Sequence, residues 1–529
     1  MKTYKEYLKS TSFVSHSEEA IIQRKPVYRA SAVFPVIESY DLHTKILFMG
    51  YWLIKRSINE LGFLISLRNQ DGTLILRQNK RITSSRAHEI EINDLLMYVG
   101  IDYETFVGSI ELEVFSNIDL VYPYPAFVVN YFNSFGSGLV HTTGRVFNDI
   151  EDLKINESIK VKEAGFDLIP GKDYDPFFAF VNGHQNYKNN TITIELINKN
   201  NLKLVKEINL GLVSPLQTMF VKLKDHINVD DFLGDEIGTI KIKHDLTGFF
   251  PRFISGNFCK TNNAVAITHS YYDNSENNQE DHYFFNEHPE LLLDSSIFVP
   301  VFANDNWYTQ VKLYPIYSPS NHSINLKFFD QNGNEKGELR DYIIVKDNVS
   351  NYVTIDIINC IDLLELDRVI IKGVQIYKVW EEKSKIPTRL KYGLNIGQRG
   401  KRHDLPTNIC FNSAIANINV LKKKGTFKWM PLVNQGNSLA VIHNSSFCID
   451  YNNEANVKVS IHHTTSDNTI NRTYIIPPNA QIRIDIDDEI EEFLGTKSGW
   501  VTIKSDNPFV NCWYFEFNDT GIMGGDHSF

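Results

Sequence analysis

Cysteine is scarce and scattered: Cys259, Cys360, Cys410, Cys448 and Cys512 are the only five in 529 residues, and no two form a C-x-x-C pair. That excludes the common zinc-ribbon and dithiol arrangements and predicts free, buried thiols in a reducing compartment. Long apolar runs are missing as well. The longest, Ile46 to Ile54 (ILFMGYWLI), is far short of the ~20 residues a membrane-crossing helix needs. The opening MKTYKEYLKSTSFVSHSEEA lacks the apolar core of about 7–15 residues that a secretory signal carries, so the expected location is cytoplasmic, with no transmembrane segment.

Positive charge is in deficit. Lys and Arg total 53 against 64 Asp and Glu, a formal net charge of −11, which argues against nucleic acid or an anionic membrane as partner. The short catalytic signatures are absent too. No G-x-x-x-x-G-K-[ST] loop occurs, and Gly393, Gly397 and Gly400 in GLNIGQRG lack the Lys-Ser ending that would meet a nucleotide phosphate. Neither a G-x-S-x-G elbow nor an H-E-x-x-H helix is present, which removes the serine-hydrolase and zincin templates. Carboxylate pairs suited to glycoside hydrolysis are too numerous among 64 acids for sequence to pick one out.

What is present is a foldable composition, 42% hydrophobic and 22% charged, in a chain long enough for three or four domains. Self-similarity then organises it. Three segments open with an apolar strand around a proline: Val33-Phe34-Pro35-Val36, Phe298-Val299-Pro300-Val301 and Trp429-Met430-Pro431-Leu432; Phe177-Phe178-Ala179-Phe180 is read as a departing fourth copy. Each is followed by two alternating runs around a polar turn, GFLISLRNQDGTLILRQ, TITIELINKNNLKLVKEI, SINLKFFDQNGNEKGEL and VKVSIHHTTSDNTINRTYII, which read as β-hairpins. An Ile-acidic segment then leads to a further strand: EIEINDLLMYVG, HINVDDFLGDEI, TIDIINCIDLLELD and IDIDDEIEEFLG.

The expected fold is therefore all-β: about four tandem antiparallel β-sandwich units, related by internal duplication, with short helical turns, since a strand with one wet face must bury the other against a second layer. The expected boundaries are an N-terminal extension 1–28, unit one at 29–150, unit two at 172–290, unit three at 295–418 with a basic insertion at 381–406, and unit four at 425–529.

The ends of the units carry the sharpest feature, a histidine followed by a hydroxyl residue: His141-Thr142, His269-Ser270 and His527-Ser528, with Asn412-Ser413 in unit three. Three neutral imidazoles suit a divalent transition metal such as Zn, Fe, Cu or Ni. If the units close around a pseudo-axis the three would converge; if they lie in a line, each His-Ser is a cap on its own strand end. The candidate metal set is His141, His269 and His527 with Asp273 and Asp149 nearby as ligand or base, and Asp526 beside the last histidine.

Candidate ligand-binding residues are Arg145, Tyr271, Tyr272 and Trp307, together with Arg399 and Arg402 in the basic stretch EEKSKIPTRLKYGLNIGQRGKRHDLP, where a phosphate or sulfated sugar would be gripped. Tyr122, Tyr124 and Tyr308 are further aromatics at turns. The acidic run from Asp485 to Glu492 has Ile490 where a calcium loop needs glycine, so it reads as a solvated turn. On this architecture the expected function is a non-enzymatic binding or scaffold protein for a glycan or another surface polymer. The alternatives are a metal-dependent enzyme built on the three histidines, and a self-assembling subunit that forms homo-oligomers.

Overall fold

A computed structural model describes residues 26–122, 124–141, 144–149, 162–273, 283–284, 288, 290–304, 306–314, 320–346, 352–382, 386–387, 390–400, 405–413, 416–433, 437–518 and 521–529. One arrangement of eight antiparallel strands and a short helix occurs four times. In unit one the strands are Arg29–Ser39, His43–Met49, Leu61–Asn69, Leu74–Ile82, Ala87–Glu91, Thr105–Phe115, Val128–Phe132 and Ser137–Val140. One sheet has the order first–sixth–third–fourth and the other fifth–second–seventh–eighth. Unit two (Lys162–Leu168 to Val265–His269), unit three (Asp294–Pro300 to Ile409–Asn412) and unit four (Thr426–Leu432 to Gly521–His527) repeat both orders strand for strand. Among the described residues no helix is long and apolar enough to cross a membrane.

Local chemistry explains the recurrence. The third and fourth strands are joined by turns in which a side-chain oxygen takes backbone N–H groups: Asn69 Oδ1 from Thr73, Asn198 Oδ1 from Asn200 and Leu202, and Asp330 Oδ1 from Asn332 and Asn334. Gly72 and Gly333, both at φ 84°, supply the left-handed residue that reverses the chain. In unit four the imidazole of His463 replaces the carboxamide, its Nδ1 accepting from Thr465 N at 2.8 Å. The Ile-acidic segments are helix starts. Asn228, Asp356 and Asp487 cap the helices Val229–Leu233, Ile357–Leu363 and Asp488–Leu494, while Val229, Ile357 and Ile490 are fully buried beneath them. The acidic run of unit four is thus the first turn of a helix, where negative charge is favourable, and Arg472 bridges Asp487 and Glu489.

The prolines mark edges. Pro35, Pro300 and Pro431 lie on first strands that, among the described residues, ladder only with the sixth, apart from one bridge of Val33 to Gly144 in unit one, so a missing N–H costs little on the other side. Unit two differs: its first strand, Lys162–Leu168, is flanked on its other side by Tyr271–Asp273, and it contains no proline. This corrects the reading of Phe177-Phe178-Ala179-Phe180 as an opening strand. Those residues occupy the second strand, Tyr174–Val181, and the unit's first strand lies ahead of the expected start at residue 172. The stretch 381–406 is likewise no mere inserted loop, because it holds the seventh strand of unit three, Lys391–Gln398, with Tyr392, Leu394 and Ile396 in the core.

Units share walls rather than hanging in a line. In the second sheet of unit four, Ala440, Ile442, Cys512 and Tyr514 face that unit's own core, while Leu439, Val441, Trp513 and Phe515 pack into the core of unit three. Trp513 also donates its indole N–H to Phe298 O at 3.1 Å. The second sheet of unit two does the same toward unit one, with Phe177, Ala179, Ile254, Val265 and Ile267 on one side and Phe178, Phe180 and Phe253 on the other. Burial on both faces explains why these strands read as nearly continuous apolar runs. At the centre the four eighth strands meet in a closed cycle: Ser137–Val140 against Val265–His269, that strand against Ile409–Asn412, the next against Gly521–His527, and the last back against the first. The approach is close enough that a Cβ on Gly524 would overlap the carbonyl of Ser137.

Candidate functional site

The cycle brings the ends of the eighth strands together, and three of the four end in histidine. The His141 ring centroid lies 4.6 Å from that of His269 and 4.4 Å from that of His527, at interplanar angles of 89° and 66°. Phe529 closes one side at 5.4 Å, itself stacked on Trp429 at 5.8 Å. Convergence around an axis, the condition for a shared site, is met.

Each imidazole has its Nδ1 engaged by an oxygen, a backbone carbonyl in two cases and a carboxylate in the third. His269 Nδ1 faces Ser270 O at 3.0 Å, His527 Nδ1 faces Ser528 O at 3.1 Å, and His141 Nδ1 faces Asp526 Oδ2 at 2.7 Å. In His269 and His527 the partner is a carbonyl, so Nδ1 carries the proton and Nε2 the lone pair; His141 Nδ1 and the Asp526 carboxylate share one proton between them. Nε2 of His527 is shielded from solvent and has no hydrogen-bond partner among the described residues. Burial, and then the neighbouring His141, push the His527 imidazole down to about 4; burial, His141 and Arg252 hold that of His269 well below its ordinary value. Asp526 is buried, and its second oxygen accepts the backbone N–H of His527 at 2.8 Å. Among the described residues one group of potential donors, His141, Asp526 and His527, has ligand atoms all within 4.8 Å of one another.

The hydroxyl residues do the capping. Ser270, Ser413 and Ser528 each return a backbone N–H to the strand that precedes the eighth, onto Phe253 O, Leu390 O and Cys512 O at 2.7, 3.0 and 2.9 Å. Ser270 Oγ in addition accepts from Phe253 N and donates to Glu163, and its carbonyl takes Arg252 Nη1 at 2.7 Å. Thr142 lies outside the described residues. In unit three Cys410 N meets Thr268 Oγ1 at 3.3 Å, which aligns the strand with its neighbour, and Asn412 emerges to solvent.

The other candidates sit elsewhere. Asp149 accepts the backbone N–H groups of Tyr28 and Arg29 at 2.6 and 2.9 Å, so it ties down the first strand of unit one. Arg145 is nearly buried, its guanidinium 3.7 Å from the Phe250 ring and 5.3 Å from Tyr124, at the passage from unit one to unit two. Tyr271, Tyr272 and Asp273 form the extra strand beside Lys162–Leu168. Arg402 lies outside the described residues. Trp307 and Arg399 lie at the same strand end: the strand Trp307–Leu313 pairs with Lys391–Gln398 and Arg399 N donates to Asn306 O at 3.0 Å; the mostly exposed guanidinium lies 5.6 Å from the buried Tyr308 ring and 3.9 Å from Asp356, while the half-buried Trp307 packs on Phe302 at 5.8 Å. The carboxylate at the histidines is Asp526, whose only signal in the sequence is its place next to His527. Compared with protein-family models and with curated protein sequences, the chain matches none.

Proposed function

We propose that this chain is a non-enzymatic β-sandwich scaffold that recognises a glycan or another surface polymer through the tip of its third unit. The observation that carries this reading is the grouping of Trp307, Tyr308 and Arg399 at one strand end, on a body whose four units share walls and a closed axis. The exposed guanidinium of Arg399, with the half-buried indole of Trp307 at the same strand end, suits a sugar that carries an anionic substituent. A body of shared cores holds that tip fixed, so little ordering cost falls on binding.

The test is calorimetric titration of the full chain with dextran sulfate and with neutral dextran. Saturable binding of the sulfated polymer, weakened at least about tenfold by W307A and by R399A, supports the reading; such a loss equals about 1.4 kcal/mol for each residue. Binding that both variants leave intact, or no binding of either polymer, overturns it. Concentration-dependent assembly into large particles without polymer would favour the self-assembling subunit instead.

A further inference from the structure

The axis carries an inference of its own, independent of the polymer-binding tip. We propose that His141, His527 and Asp526 form a binding site for a single first-row divalent transition metal. Three observations converge on it. First, the ligand atoms already lie within 4.8 Å of one another on two units that are far apart in sequence. Metal–N and metal–O bonds of about 2 Å place neighbouring donors roughly 3 Å apart, so a short inward adjustment completes the shell. Second, the side chains are poised as ligands. His527 gives its Nδ1 proton to Ser528 O, which leaves a buried Nε2 lone pair with no hydrogen-bond partner among the described residues. A buried acceptor without a donor is costly unless something meets it. Third, His141 Nδ1 and Asp526 Oδ2 lie 2.7 Å apart, about the separation of neighbouring donors on one metal, and a divalent cation can take the place of the proton they share. Two imidazoles and one carboxylate on one side of a metal is a donor set that suits Fe, Co or Zn and leaves further positions open.

His269 is assigned a different place. Its ring packs on His141, but Ser270 O, which accepts from its Nδ1, also receives the Arg252 guanidinium. The donors that lie within 4.8 Å of one another do not include His269, and the Arg252–Glu163 pair fixes the Ser270 side of its ring, so His269 forms a wall of the site and is not a ligand.

Cobalt is the probe. The tag-free full chain is stripped with a chelator, dialysed, and titrated with Co²⁺ while the visible d–d absorption is followed; metal content is then measured by elemental analysis. The expected result is one equivalent bound to the wild-type chain with an ordered-site spectrum. H527Q and D526N should weaken binding by more than about 100-fold, beyond what loss of an outer partner costs, and H269Q by less than about tenfold. Far-UV circular dichroism and the melting temperature of each metal-free variant show whether it folds. Failure of the folded wild-type chain to take up one equivalent overturns the site and leaves the imidazoles as a packed plug. Equal losses in H269Q and H527Q overturn the ligand set. The wild-type titration decides the first point even if a variant does not fold.

Discussion

Three corners of the axis end in histidine and the fourth in Asn412, and the contrast separates two jobs that a His-Ser pair could combine. In units two, three and four the serine after the strand returns its N–H to the preceding strand at 2.7 to 3.0 Å, whether histidine or asparagine stands before it. Strand closure therefore does not need an imidazole. Where histidine is present it is nearly buried against other rings, whereas Asn412 points to solvent. The fold tolerates either residue at this position, so the imidazoles at the other corners serve the axis itself.

The largest expected effect on this contrast comes from forcing two histidine-bearing corners apart. In Gly524→Ala the new methyl would meet the Ser137 carbonyl, a backbone atom that cannot swing away. The eighth strand of unit four would have to retreat from that of unit one, at a cost of about 1–3 kcal/mol typical of overpacking. Chemical denaturation would show the loss, and hydrogen exchange would localise it to the strands Ser137–Val140 and Gly521–His527. Unchanged stability and protection would mean that the corners are not held by this contact.

A smaller effect depends on pH. Glu516 lies on the adjoining strand Val510–Asn518, opposite Gly524, and burial pushes its carboxyl up to about 7, with Ser137 and Lys45 only partly offsetting the shift. The folded state thus holds a proton that the unfolded chain, with an ordinary carboxyl near 4.5, has already released. This contribution to stability is fully present below pH 4.5 and is lost as pH rises through about 7. Glu38 and Glu111, also pushed up to about 7 by burial, add to the same slope. Glu516→Gln should therefore flatten the fall in melting temperature between pH 5 and pH 8, and its advantage over the wild type should be greater at the higher pH. An unchanged slope would show that Glu516 is ionised in the fold.

Much of this architecture is legible in the sequence because its causes are local. Hairpins announce themselves through period-two runs around Asn and Asp turns, and the helix starts through a capping acid or amide beside a buried Ile or Val. What escapes is set by partners remote in sequence. The first strand of unit two has no proline to mark it as an edge, and a strand about a hundred residues later covers that edge. The seventh strand of unit three is hidden because Tyr392, Leu394 and Ile396 alternate within glycines and basic residues that read as loop. Asp526 gains its meaning from His141, 385 residues away. Convergence of the histidines was legible as a consequence of closure, but closure itself depends on apolar residues that face outward from one unit into the next.

The smallest effect sharpens the contrast most directly. Asn412 is exposed, so Asn412→Ala should change stability by no more than about 0.5 kcal/mol. His269 occupies the same position in unit two but is 2% exposed, packed on His141 and hydrogen-bonded to Ser270 O. Its removal opens a void and strips a partner from the axis, for which a loss of roughly 1–3 kcal/mol is expected in metal-free protein. Thermal melts of the two alanine variants, made under chelating conditions, compare equivalent positions in one molecule. Equal losses would show that unit three needs its strand end as much as unit two does. In that case the repeat would dictate the residue at this position, and the distinction between a structural corner and three axial ones would fall.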